Sequence, residues 1–495
     1  MFLVARREEG ECGGRRSFLL LFHHQQPPYC RLDCAAHYVN LFIMQPLRYH
    51  RRDFLRFGMI GLGGLAIPDL IAAAPSGQIK AKACILLYMD GGPSHIDLWD
   101  LKPNAPEEVR GPFTVIATSV PGIRVCEHLP RVARQMHRLC QVRSVRHTET
   151  IHDPAVYQML TGRKHPISAG GLAADPGDFP QIGTAFGKVD TRSAVMPKVV
   201  ELPETMKMDA RILPGQNAGC LGASHDPFRV EVARDGRVQP PEFRRRDDIS
   251  VERLSERGSL LQALDRQHRA LHGRSAADYF DRFHQQALAV LAHPHIREAF
   301  NLEAEPLRCR ELYGSHRHGR SVLLARRLVE AGSRFVTVYW GKEEQDWADG
   351  QGKRMANNPW DTHRNHFPLL KDDLLPRADQ ALAALVEDLH QRGMLDETLV
   401  LWMGDFGRTP RIDRKYASRD HWPHANTILF AGAGVPGGTV YGRTDHLGAY
   451  VVDNPLSPAD ITATVFHRLG VDSAAVIQDG RGQGHPLSEG KALRF

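Results

Sequence analysis

The sequence predicts an α/β fold in which a mostly parallel central sheet is flanked by helices. Two apolar runs, Ala83-Cys84-Ile85-Leu86-Leu87-Tyr88-Met89 and Thr398-Leu399-Val400-Leu401-Trp402-Met403, lack the alternation of a half-exposed strand and read as strands buried on both faces. Stretches with helical spacing separate these runs from other short apolar segments, and strand alternating with helix argues for a sheet covered on both sides. Each run is followed by an aspartate, Asp90 and Asp405, at the end of the strand where open α/β sheets place their ligands.

A chain of 495 residues can hold one large α/β domain with insertions, or about two or three average domains. Its apolar fraction of 42% supports a substantial core and excludes disorder of the whole. The formal charge of +6 is small for this length and does not argue for nucleic acid, although basic residues near a site would attract an anionic substrate. The 26 histidines say more, because several stand in short runs with Asp. Imidazole with carboxylate suits zinc, manganese or iron better than calcium.

Residues 1–43 mix Arg, His and Cys without periodicity and read as an N-terminal extension, with Met44 as an alternative start to Met1. The segment His50-Arg51-Arg52-Asp53-Phe54-Leu55-Arg56 then precedes a Gly-rich apolar run from Phe57 to Ala74. Paired arginines before a moderately hydrophobic stretch with a small-residue exit have the layout of a Tat export signal over residues 44–79. The Tat machinery is therefore an expected partner, and a periplasmic or other extracytoplasmic location follows. A buried helix preceded by basic residues is the plainer alternative. The apolar run is too short and glycine-rich for a membrane span, and none is expected in the mature chain. Cys84, Cys126, Cys140, Cys220 and Cys309 are odd in number and lack CxxC spacing, so buried free thiols are expected.

After the first strand comes Asp90-Gly91-Gly92-Pro93-Ser94-His95, a turn-forming stretch. Apolar residues between Pro121 and Val145 fall at helical spacing, with a strand returning at Val142–Val145. Asp153-Pro154 then opens a helix that runs to about Leu160 and stops at Gly162, which sets His152 at the helix N-terminus. From Arg234 to about Arg320 the composition turns to Arg, Glu, Gln, Ala and Leu, as in an insertion of amphipathic helices. A strand at Arg334–Trp340 leads through a long polar loop, of a length usually kept for function, into Trp360-Asp361-Thr362-His363-Arg364-Asn365-His366. A helix over Ala378–Arg392, a last strand over Thr427–Ala431 and a helix over Pro458–Leu469 complete the 80–495 domain.

The candidate metal ligands are Asp90, His152, Asp361, His363, Asp405 and His421, with His366 and His424 in reserve. Three carboxylates and three imidazoles at strand ends and in loops suit a divalent cation, zinc or manganese. Split into two sets they would hold two ions, about 3.5–4 Å apart, as in enzymes that clamp the attacking and leaving oxygens of an ester. Arg163, Arg146 and Arg408 are candidates to hold the oxygens of an anionic substrate, with surface pairing or helix capping an equal alternative for each.

These stretches carry a resemblance. Met89-Asp90-Gly91-Gly92-Pro93-Ser94, His152-Asp153-Pro154 with Leu160-Thr161-Gly162-Arg163, Trp360-Asp361-Thr362-His363, Gly404-Asp405-Phe406-Gly407-Arg408-Thr409-Pro410 and Arg419-Asp420-His421-Trp422-Pro423 occur in the order found in the bacterial DUF1501 family. The sequence resembles that sulfatase-like branch of the alkaline phosphatase superfamily over nearly all of the mature chain. The resemblance implies an α/β sandwich with metal ligands at strand ends and a nucleophilic Ser, Thr or modified Cys at a helix N-terminus. Asp90 matches the first-strand aspartate, Asp405 the aspartate of the late Asp-His-Gly-like motif, and His152 the nucleophile position.

Two departures follow. His152 cannot become formylglycine, so ordinary sulfatase chemistry is unavailable, and Phe406 stands where the superfamily usually offers a His or Asn ligand. His152 is accordingly expected to ligate the metal or position a metal-bound water ahead of attacking phosphorus itself. The implied function is an exported, metal-dependent hydrolase of phosphate or sulfate esters with an unassigned nucleophile. The alternative is a sulfatase-fold binding or envelope protein without catalysis.

Overall fold

The structure, a computed structural model, describes residues 81–208, 210–239, 294–340 and 359–495, with isolated positions at 253 and 256. The expected extension, the export segment, most of the helical insertion and the first part of the loop before Trp360 lie outside these residues.

An eight-stranded sheet carries the fold. Its strands are β1 (Ala83–Met89), β2 (Leu139–Val145), β3 (Val199–Leu202), β4 (Phe228–Arg229), β5 (Phe335–Tyr339), β6 (Thr398–Gly404), β7 (Asn426–Ala431) and β8 (Thr439–Tyr441). Their spatial order is β8-β2-β7-β6-β1-β5-β3-β4. Strand β1 pairs in parallel with β5 and β6, and β3 and β4 extend the parallel side. Strands β2 and β8 are also parallel to each other, while β7 runs antiparallel between β6 and β2. The sheet is therefore mostly parallel, as the sequence predicts.

Helices α1 (His152–Thr161), α2 (Ile182–Val189), α3 (Arg317–Glu330), α4 (Leu375–Gln391) and α5 (Pro458–Arg468) cover it. All seven residues of β1 are buried, and successive side chains enter different cores. Ala83, Ile85, Leu87 and Met89 pack with α3 and α4, whereas Cys84, Leu86 and Tyr88 pack with α1, α2 and α5. Each fully buried Leu or Ile here contributes about 1.5–3 kcal/mol, which is why an unalternating apolar run is stable only at the centre of such a sheet.

Local signals set the element ends. Pro154 lies in the first turn of α1, and Gly162 ends it in the left-handed region at φ 73°. A Cβ at Gly162 would also collide with Thr462 of α5. Ser457 and Asp460 form a capping box at the start of α5.

Three expectations are corrected. The apolar spacing before Val145 yields only a short helix at Pro130–Gln135, because Leu139 and Cys140 already pair with Ala431 and Phe430. A further strand, β8, follows the glycine-rich turn. Helix α4 begins at Leu375, earlier than expected, continuing a π-helical turn over Leu370–Leu374. The described part of the expected insertion contains helices at Pro294–Ala299 and Leu307–Tyr313. Cys84, Cys126, Cys140, Cys220 and Cys309 are all free thiols, the first three buried. Among the described residues no helix is long and apolar enough to cross a membrane.

Candidate metal centre

The centre sits beyond the carboxyl ends of β1 and β6. His152, the first residue of α1, is buried between two carboxylates: Nδ1 lies 2.7 Å from Asp405 Oδ2, and Nε2 lies 3.1 Å from Asp361 Oδ2. Burial opposes a charge on this ring, yet the carboxylates of Asp361 and Asp405 overcome it and push its pKa up to about 10. Asp405 is fixed in turn, since its Oδ1 accepts the Tyr88 hydroxyl at 2.8 Å and its main-chain carbonyl accepts His147 Nε2 at 2.8 Å. Burial, then the Asp405 carboxylate, hold the Tyr88 phenol well above its ordinary pKa, so it remains a donor.

Asp361 gathers the remaining ligands. Its Oδ1 lies 2.8 Å from His363 Nε2 and 3.0 Å from His421 Nε2, and those two nitrogens are 2.8 Å apart. Donor atoms of His152, Asp361, His363 and His421 all fall within 4.8 Å of one another. His421 Nδ1 donates to the Thr150 carbonyl at 2.7 Å, so the ring turns its Nε2 lone pair toward the cluster. That lone pair meets a carboxylate oxygen and a second ring nitrogen, an arrangement that calls for a cation or a proton at its centre.

The donor set fits a cation. Tetrahedral ligands at about 2.0–2.1 Å from zinc lie roughly 3.3 Å from each other, so the Asp361, His363 and His421 donors, 2.8–3.0 Å apart, need to spread by a few tenths of an ångström, while the full set of four, within 4.8 Å, has to draw in. Burial works against ionised Asp361, but the Arg408 guanidinium and then His152 hold its carboxyl well below the usual range.

Other candidates are placed elsewhere. The Asp90 side chain is not among the four converging residues, although its carbonyl accepts the Trp360 amide at 2.9 Å and so fixes the loop leading to Asp361. Asp405 is not in that set either, because its carboxylate oxygens hold Tyr88 and His152. Arg408 is fully buried. It donates to the carbonyls of Gly91, Gly92 (2.9 Å) and Trp360 (3.0 Å) and to Asp361 (2.7 Å), which clamps the strand-end loops together. Arg163 lies over the Phe179 ring at 4.2 Å, donates to the Pro486 carbonyl at 2.7 Å and pairs with Glu489, tied to the C-terminal segment. His424 packs edge-on against Trp422, and Arg146 is exposed.

Phe406 closes the remaining side. Its ring centroid is 5.1 Å from that of His152 and 4.4 Å from that of His421. The ring leans on Gly92, at φ 78°, where an added Cβ would come within 2.7 Å of it.

Sequence reasoning missed a buried network behind the centre. Asp97 Oδ2 accepts Ser94 Oγ (2.5 Å), Arg419 Nε (2.7 Å) and His366 Nε2 (2.9 Å), while Oδ1 accepts Arg419 Nη2 (2.9 Å). His366 Nδ1 in turn stands 2.6 Å from Thr362 Oγ1. The only sequence signal was a carboxylate inside the apolar turn Ser94-His95-Ile96-Asp97-Leu98, which needs a partner once buried.

Residues 81–494 match the model of a family described as "Protein of unknown function (DUF1501)". No curated protein matches the chain. Among solved structures, the chain is similar to a sulfatase from a Pseudoalteromonas species at 13% identity, over 84% of this chain and 74% of that one, with a TM-score of 0.37. It is similar to a phosphonate monoester hydrolase from Silicibacter pomeroyi at 11% identity, over 83% and 76% of the two chains, with a TM-score of 0.36. A protein in the alkaline phosphatase superfamily from Vibrio parahaemolyticus is similar at 10% identity, over 79% and 67%, with a TM-score of 0.34.

Proposed function

The chain belongs to the DUF1501 family, and from that premise we propose that it is an exported hydrolase of phosphate or sulfate esters that depends on one divalent cation, zinc or manganese. The observation that carries this reading is the convergence of His152, Asp361, His363 and His421, with the His421 lone pair turned inward by its bond to Thr150. When bound there, such a cation supplies Lewis acidity and an activated water at neutral pH.

The protein's own groups supply position. Asp405, braced by Tyr88, fixes the orientation of His152. Asp405 holds Nδ1 of His152, which leaves Nε2 facing Asp361 in the cluster and favours a ligand or water-positioning role over attack on phosphorus. Arg408 holds Asp361 ionised and in place and is not a contact for the ester. The twin-arginine segment before the domain supports export through the Tat machinery.

The second reading, a binding or envelope component without catalysis, draws on the commitment of Arg408 to structure and on the apolar ring of Phe406 beside the ligands. Metal analysis of the protein purified from the exported fraction, followed by assays on aryl phosphate, phosphodiester and aryl sulfate, separates the two. Hydrolysis that follows metal content and disappears in His421→Ala supports the enzyme. Absence of bound transition metal, with stability unchanged on adding zinc or manganese, sinks it.

A further inference from the structure

Three segments distant in sequence meet at the Asp97 carboxylate. Asp97 belongs to the short helix His95–Leu98 that follows the loop after β1. Through His366 it reaches Thr362, which lies between the ligands Asp361 and His363. Through Arg419 it reaches the segment two residues before the ligand His421. Arg419 also donates to the carbonyls of Thr409 (3.0 Å), Pro410 and Val109 (2.7 Å), so the excursion from Thr409 to Arg419 closes on the same guanidinium. Asp97, Thr362, His366 and Arg419 are 2% exposed or less.

Nothing in the chain joins the Asp361–His363 pair to His421 covalently over any short distance. Their separation depends on what both are anchored to, and the Asp97 carboxylate ties the two anchors to one atom, because its Oδ2 accepts both His366 Nε2 and Arg419 Nε. We infer that Asp97 is a positioning residue of the metal centre, acting beside the Arg408 clamp and helping to set the spacing between the Asp361/His363 ligands and His421 through His366–Thr362 on one side and Arg419 on the other. The inference rests on the metal reading above and adds to it which buried groups hold the ligand geometry.

The test is zinc affinity by chelator competition, with the visible spectrum of the cobalt(II)-loaded protein, on the purified full chain and on Asp97→Asn, Thr362→Val and Thr362→Ser. Thr362→Val removes one hydroxyl and keeps the Asp97–Arg419 pair, so it remains informative where Asp97→Asn does not fold. The expected result is a zinc dissociation constant raised about 10–100-fold in Thr362→Val and in Asp97→Asn, the usual cost of losing an outer partner of a metal ligand. The cobalt spectrum should shift while the far-ultraviolet circular dichroism stays unchanged, and Thr362→Ser should restore both affinity and spectrum. Wild-type protein that binds cobalt and zinc, with Thr362→Val matching it in constant and spectrum, overturns the inference and leaves the metal reading standing. Wild-type protein that takes up neither ion overturns the metal reading itself.

Discussion

The ring of Phe406 stands 5.1 Å from the imidazole of His152 and fills the flank where a second group of ligands would have to converge. The oxygens of Asp405 face Tyr88 and His152, on the other side of the imidazole from His363 and His421. One cation per chain is therefore expected, and elemental analysis or native mass spectrometry of the loaded protein measures it. Two tightly held ions per chain would contradict this geometry.

Removing the Tyr88 hydroxyl tests how far Asp405 depends on it. Asp405 is fully buried, and Tyr88→Phe deprives one of its oxygens of a donor. A buried polar group left without its partner costs about 1–3 kcal/mol, so the urea midpoint should fall accordingly. An unchanged midpoint would mean that water replaces the phenol.

Arg408→Lys should act on stability first. Lysine keeps the charge but cannot reproduce a planar fork that reaches several main-chain carbonyls and a carboxylate, and each buried acceptor left without its donor costs about 1–3 kcal/mol. Thermal unfolding would show the loss. A variant that keeps its melting temperature but binds anionic esters poorly would return Arg408 to the role that the sequence suggested.

Glu201 makes folding stability depend on pH. Burial pushes its carboxyl up to about 7, against the pull of Arg229, whose Nε lies 3.4 Å away, and of the Tyr339 hydroxyl at 2.8 Å. Asp226 adds to the upward shift. The folded pKa exceeds the ordinary 4.5, so this contribution is full below about pH 4.5 and is lost as pH rises through 7. The total is roughly 3 kcal/mol. Urea titrations from pH 5 to 8 should show wild type losing stability relative to Glu201→Gln as pH rises. A constant difference between the two would refute the assignment.

Strands β1 and β6 and helix α1 were legible because their signals are local: unbroken apolar runs, Pro154 in the first turn, Gly162 at the stop. The ligands Asp361, His363 and His421 were legible as residue types in loops. What could not be read is which of them share a centre, because that depends on contacts such as Tyr88 with Asp405 and Asp97 with Arg419, spanning 317 and 322 residues. Arg163 and Arg408 were assigned by charge alone. A guanidinium five donors wide is as useful for tying carbonyls together as for holding an ester, and one sequence does not distinguish these uses.

The reversed direction of β7 has a topological consequence. Had it run with its neighbours, its first residue would lie at the opposite rim, roughly 20 Å away for a strand of this length, and His421 with it. Instead β6 ends and β7 begins at one rim, so residues 405–425 leave and re-enter the sheet on the same side. Arg408, Arg419 and His421 tie the base of this excursion to Asp361, Asp97 and Thr150. Its outer tip, where Asp413 and Ser418 bridge, can lengthen or shorten without shifting any strand, so the chain can vary there while the ligand geometry stays fixed.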